Sequence, residues 1–158
     1  MKIPPMKAVI FDMDGVLVDF NREMREKGKV TDEEKDEYVD NTDGLFAWLK
    51  PMDGAIESFE WLSKHFECYI LTTAPWKNIS ALSDKRRWIE KYLPEVGKKK
   101  LIITHNKGLN KGKYLIDDRI AKGVEDFEGE HIYFGKGSFK KWKSVLEYIS
   151  KKENKNLK

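Results

Sequence analysis

The run Ala8-Val9-Ile10-Phe11-Asp12-Met13-Asp14-Gly15-Val16 constrains this chain more than any other stretch. A short apolar segment ends abruptly in two aspartates one residue apart, followed by a glycine. Bounded by turn signals, it reads as a strand buried on both faces, the kind found in parallel sheets. Carboxylates just beyond such a strand stand at its carboxyl end, where open α/β sheets bind ligands. Holding two of them there costs free energy unless a cation or a reaction uses them. The pattern directs attention to Mg²⁺ and a phosphate, although the tripeptide alone equally describes two solvated loop aspartates.

The rest of the chain decides between those readings. Short apolar runs recur at Lys7–Phe11, Cys68–Leu71, Leu101–Thr104, Tyr114–Ile116 and His131–Phe134. Helical stripes lie between several of them: Ile56, Phe59 and Leu62, with Asp53 as N-cap, then Ile79, Leu82, Ile89 and Leu93 from Asn78 onward, stopped by Pro94 and Gly97. A last stripe, Phe139, Trp142, Leu146 and Ile149, starts from Ser138. Strands alternating with helices predict an α/β fold, a Rossmann-like parallel sheet of about five strands flanked by helices, with right-handed crossovers. The segment 20–50 breaks the alternation: it is highly charged, lacks a strand and carries a capping-box signal from Thr31 to Glu34. It reads as a small helical cap inserted after the first strand, its acidic residues Glu33, Glu34, Asp36 and Glu37 forming a solvated face. No internal repeat or linker divides the 158 residues, so a single domain is expected, with a basic tail from Lys151 to Lys158 that frays.

Composition excludes several classes. With 30 basic and 27 acidic residues, a formal net charge of +3 does not by itself call for nucleic acid. The lysine clusters at 98–100, 107–113 and 151–158 are dispersed and lack interleaved aromatics, so no stable nucleic-acid partner is expected. Cys68 is the only cysteine, which rules out an intramolecular disulfide, and its apolar neighbours suit a buried inert thiol. No run approaches a membrane span, and the expected location is cytoplasmic. A homodimer is compatible with the sequence.

The chemistry-bearing residues fall at successive strand ends. The second strand ends in Thr72-Thr73, whose hydroxyls can donate to phosphate oxygens, though threonines also favour strand ends for their own sake. After the third comes Lys107, able to neutralise phosphoryl charge as a point charge. The fourth ends in Asp117-Asp118-Arg119, a second acidic pair. Mg²⁺ prefers a few carboxylate oxygens together with substrate phosphate and water, and ligands from two strand ends suit it.

Carboxylate pair, hydroxyl, lysine, carboxylate pair: in this order the chain resembles the haloacid dehalogenase superfamily of phosphotransferases. Asp12-Met13-Asp14-Gly15-Val16 looks like its first motif, Thr72 its second, Lys107 its third and Asp117-Asp118 its fourth. The resemblance covers roughly residues 7 to 149 and is greatest to the 5′(3′)-deoxyribonucleotidases. They share the extended Asp12–Phe20 run, a Leu-x-Thr-Thr-x-Pro element, Lys85 with Trp88, and Leu115-Ile116-Asp117-Asp118-Arg119. The cap is shorter than in the animal enzymes of that family.

The resemblance implies a Mg²⁺-dependent phosphomonoesterase acting on deoxyribonucleoside monophosphates. Asp12 would attack phosphorus and form an aspartyl-phosphate, and Asp14 would serve as general acid and then base. Asp12, the Asp14 carbonyl and one of Asp117 and Asp118 would hold Mg²⁺; which of that pair touches the metal stays open. Lys107 would offset charge, and Thr72 and Thr73 would bind the non-transferred oxygens. Lys85 lies off the apolar stripe of its helix; the resemblance brings it to the phosphate, whereas the pattern alone leaves it solvated.

The resemblance also makes Phe20 a base-stacking residue, while its position equally suits a core anchor for the insertion. Phe46 and Trp48 could close the pocket from the insertion but are expected rather to pack it onto the domain, and Trp76 is expected to face the site. His65, His105 and His131 show no metal spacing and are expected to be structural or surface residues. Competing readings are a phosphatase for another small phosphate ester, such as a sugar or cofactor fragment, and a basic nucleic-acid binding module. A glycosyltransferase built on the Asp12-x-Asp14 pair would leave Lys107 and Asp117-Asp118 unexplained.

Overall fold

A computed structural model describes residues 8–20 and 44–157. Five parallel strands form one sheet: β1 (Ala8–Phe11), β2 (Glu67–Thr72), β3 (Leu101–Ile103), β4 (Tyr114–Asp117) and β5 (Glu130–Tyr133), in the order β3-β2-β1-β4-β5. The helices are α1 (Leu45–Trp48), α2 (Ala55–His65), α3 (Ser80–Tyr92) and α4 (Trp142–Lys152). The expected α/β architecture, a parallel sheet flanked by helices, is what the chain adopts.

Side chains alternate across the pleat and separate two cores. Val9, Phe11, Ile70, Tyr114 and Ile116 join Phe59, Trp88 and Trp142 from the helices. Ile10, Leu71 and Leu115 face the other way and meet Val124 and Phe127. The α-helical layer therefore gathers on one face, and short 3₁₀ turns at Lys107–Leu109 and Val124–Asp126 belong to the connections that cover the other. Phe11 packs 4.7 Å from Phe59 and 5.6 Å from Trp142, and the Trp142 indole donates to the Val16 carbonyl at 2.9 Å. The turn after β1 is thus anchored to the last helix.

Several local expectations shift. Gly54, not Asp53, occupies the cap position of α2, and no side chain caps that helix. Asn78 precedes α3, which begins at Ser80, and its side chain accepts a hydrogen bond from the Ser80 hydroxyl at 2.8 Å. Ile79 and Leu82, read as part of a buried stripe, are exposed. The buried face of α3 is instead Ala81, Asp84, Lys85, Trp88 and Ile89, so Lys85 sits on the buried face rather than off it. At the C-terminus α4 takes in Lys151 and Lys152, and Glu153 accepts hydrogen bonds from Tyr114 at 2.6 Å and Lys113 at 2.5 Å. Most of the expected cap, including the Thr31–Glu34 signal, lies outside the described residues.

The strand order fixes where a ligand can bind. The chain runs from β1 outward through β2 to β3, then crosses to β4 and β5 on the other side. The reversal falls between β1 and β4, and the crevice beyond the carboxyl ends of those strands is where such sheets take ligands. Asp12 follows β1 and Asp117 ends β4.

Candidate active site

Asp12 is held at that crevice by its own backbone, whose N–H donates to the Ile116 carbonyl of β4 at 2.8 Å. The following turn closes on the Met13 carbonyl, which accepts from Leu17 at 3.0 Å and Val18 at 2.9 Å. Gly15 adopts φ +82°, and a β-carbon there would run into the Asp118 carboxylate. Glycine both permits the left-handed turn and lets Asp118 come up against it.

Lys107 lies at the centre of the charges. Its ammonium is 2.7 Å from Asp12 Oδ1 and 2.6 Å from Asp117 Oδ2, and all three side chains are buried. The second Asp117 oxygen accepts the Arg119 N–H at 3.0 Å, so both oxygens of Asp117 are engaged. Asp118 differs: its Oδ1 is buried and has no hydrogen-bond partner among the described residues. One carboxylate oxygen from each of Asp12, Asp117 and Asp118 falls within 4.8 Å of the others.

Charge crowding shows in the acidities. Burial raises the Asp12 pKa; Lys107 opposes the rise and Asp117 adds to it. Burial, the Asp12 carboxylate and then Asp117 push Asp118 up to about 8. Burial pulls the Lys107 ammonium down, but Asp12 and Asp117 outweigh it and hold its pKa above the ordinary lysine value. Three clustered carboxylates, with Asp12 and Asp118 resisting ionisation and one Asp118 oxygen unpartnered among the described residues, are the donor set a hard divalent cation would satisfy.

A second lysine governs the other half of the site. The Lys85 side chain is fully buried, and its ammonium donates to Asp14 Oδ2 at 2.8 Å, the Thr72 hydroxyl at 2.7 Å and the Thr73 carbonyl at 2.9 Å. It lies 4.5 Å from the centre of the Phe46 ring, which in turn stacks on Phe20 with centroids 6.2 Å apart. The Thr73 hydroxyl donates to the Thr104 carbonyl at 2.9 Å, which commits its proton to the loop after β3.

A cavity of about 500 Å³ opens over these groups. Asp12, Asp14, Phe20, Thr72, Thr73, Lys107 and Asp117 all line it. Lys85 reaches it through Asp14 and Thr72, and Asp118 stands behind it in one carboxylate cluster with the lining residues Asp12 and Asp117. Phe20 is buried in the core and also lines the cavity. Phe46 packs inward, whereas Trp48 is exposed and lies away from the cavity wall.

Trp76 does face the site, 87% exposed, with its ring edge-on to His105 at 5.9 Å. His105 is a surface residue as expected, yet it stands at the mouth. Sequence reasoning passed over Lys77, Arg119 and Lys122, which also line the cavity. The available signal was position: each follows the carboxyl end of a strand flanking β1.

The chain matches the family model for "5′ nucleotidase, deoxy (Pyrimidine), cytosolic type C protein" over residues 31–157. It is 49% identical over 150 residues to a "Putative 5′(3′)-deoxyribonucleotidase" of Vibrio phage KVP40, covering 93% of this chain and 86% of that protein. It is 28% identical over 147 residues to a 5′(3′)-deoxyribonucleotidase of Bacillus subtilis, covering 81% and 84%. Among solved structures it resembles the "putative HAD-hydrolase YfnB" of Bacillus subtilis, crystallised with magnesium, at a TM-score of 0.58 and 14% identity, covering 92% of this chain and 99% of that one. No helix among the described residues is long and apolar enough to cross a membrane.

Proposed function

The chain belongs to the cytosolic type C family of 5′-nucleotidases, phosphoric monoester hydrolases, and from that premise we propose that it dephosphorylates deoxyribonucleoside 5′(3′)-monophosphates with Mg²⁺, through an aspartyl-phosphate on Asp12. The observation that carries this reading is Lys107 bridging Asp12 and Asp117 at the switch point of the sheet.

Asp12 attacks phosphorus, and the bond to the ester oxygen breaks while that oxygen takes a proton from Asp14. Asp14 then takes a proton from water, the water oxygen bonds to phosphorus, and the Asp12–phosphorus bond breaks to release inorganic phosphate. Splitting one displacement into two is what a carboxylate nucleophile provides. Lys107 opposes the effect of burial on Asp12, favouring the carboxylate needed for attack. Lys85 holds Asp14 by one oxygen and Thr72 by its hydroxyl, setting the acid and the phosphate cradle in one frame.

Asp12, the Asp14 carbonyl and Asp118 would hold the Mg²⁺, with Asp117 fixing the cluster through Lys107 and the Arg119 N–H. The unpartnered Asp118 oxygen favours that assignment over direct ligation by Asp117. The cation would neutralise charge building on the transferred phosphoryl group.

Steady-state rates on 5′- and 3′-deoxynucleotides, ribonucleotides, sugar phosphates and an aryl phosphate, with Mg²⁺ and with chelator, test this function. Deoxynucleotides should lead the panel, and chelator should abolish turnover. A sugar phosphate leading it would replace the nucleotidase reading with a different small-ester phosphatase.

A further inference from the structure

Beyond the aspartates and Lys107 at its floor, the cavity is lined by further charged residues. Its aspartates lie with Lys107 near the strand ends, next to the reacting position, while further out the charged lining residues among those described are Lys77, Arg119 and Lys122, all basic. In a chain with 30 basic and 27 acidic residues, such a one-sided mouth is a local feature rather than a reflection of overall charge. Lys77 follows β2 and Lys122 follows β4, the two strands that flank β1, so the lysines straddle Asp12. Both are exposed, and neither makes an ion pair among the described residues.

Lys122 is also held in place. It adopts φ 56°, a left-handed conformation that a residue with a β-carbon takes only when its surroundings impose it. Its carbonyl accepts the backbone N–H of Lys107 at 2.6 Å, which locks it to the loop bearing the central lysine. Gly123 follows, also left-handed, packed against Asn106. The chain thus accepts backbone strain at the residue that brings to the mouth an ammonium with no ion pair among the described residues. Beside Lys77, Trp76 offers an exposed aromatic face.

We propose that Lys77 and Lys122 hold a second phosphate on the substrate, one that is not cleaved, so that the enzyme favours nucleotides phosphorylated at both ends of the sugar. The second phosphate is either that of a free nucleoside bisphosphate or the phosphodiester joining a terminal nucleotide to its neighbour. This rests on the nucleotidase reading, because it needs a nucleotide with its scissile phosphate at Asp12.

The test compares kcat/KM for a deoxynucleoside 5′-monophosphate, the 3′,5′-bisphosphate and a 5′-phosphorylated dinucleotide, at low and high salt, in the wild type and in Lys77→Ala/Lys122→Ala. Two exposed charge pairs should favour a doubly phosphorylated substrate by about two- to thirtyfold at low salt. That preference should shrink at high salt and fall to about one in the double variant. Preference for the bisphosphate alone marks free nucleotides as the substrate, and preference for both marks strand ends.

If the monophosphate is hydrolysed but the wild-type ratio is near one, the inference fails and the nucleotidase reading stands. If the double variant slows all three substrates equally, the lysines merely steer phosphate and the inference again fails. If no nucleotide is hydrolysed while an aryl phosphate is, both readings fall together.

Discussion

Lys85 Nζ donates to Asp14 Oδ2 at 2.8 Å across 71 residues of sequence, from a side chain with no exposure to solvent. The pair joins the middle of α3 to the turn after β1, and the same ammonium reaches Thr72. Lys85→Met keeps the aliphatic stem and removes the charge. Removing one preorganised electrostatic contact typically costs about 10²–10³ in kcat, and a loss of that size is expected here with the fold intact by circular dichroism. Activity within a few-fold of wild type would make Lys85 a packing residue only.

The fate of Lys85 shows what the sequence could and could not disclose. The aspartates, Thr72 and Lys107 were legible because each follows a short apolar run, and strand ends in a parallel sheet converge by construction. Lys85 was pointed to by the resemblance but not by the pattern, because helical periodicity sorts residues by polarity. It credited Ile79 and Leu82 to the buried face of α3, where the structure instead places Asp84 and Lys85. A lysine is buried there because Asp14 and Thr72, distant in sequence, supply its partners. Likewise Asp53 has the residue type of a helix cap, yet the turn puts Gly54 in that place. The mouth lysines were missed because exposed lysines are ordinary; only the fold shows that two of them flank β1.

Gly15→Ala tests the close approach of Asp118. The added β-carbon demands a strained left-handed residue and displaces the carboxylate it meets. Expected are a loss of about 1–3 kcal/mol in stability and roughly 10–100-fold weaker Mg²⁺ binding by titration calorimetry. Unchanged Mg²⁺ affinity would remove Asp118 from the cation site.

The raised pKa of Asp118 sets a pH dependence for the metal-free protein. Its folded value, about 8, lies above the ordinary 3.8, so the folded state binds the proton more tightly than the unfolded chain. The stabilisation this gives is fully present below pH 3.8 and is lost progressively as pH rises through about 8. A cation replaces that proton. The rise in melting temperature on adding Mg²⁺ to chelator-treated protein should therefore be larger at about pH 9 than at about pH 5. An equal rise at both would contradict the coupling.

Phe20 stacks on Phe46 and lines the cavity, so Phe20→Leu separates base recognition from core packing by retaining apolar bulk. Stacking on an aromatic is worth about 1–3 kcal/mol per base. The ratio of kcat/KM for a deoxynucleotide to that for an aryl phosphate should fall by roughly five- to 150-fold. A ratio that survives would move recognition to Trp76, the exposed aromatic at the mouth.

The central claim is that phosphate passes through Asp12. Single turnovers with a labelled deoxynucleoside monophosphate, quenched in acid within milliseconds and mapped by mass spectrometry, address it directly. The account predicts label on the peptide containing Asp12, decaying as inorganic phosphate appears, and neither label nor turnover in a folded Asp12→Asn protein. Full turnover with no phosphorylated peptide at any time, together with an active Asp12→Asn enzyme, would contradict it.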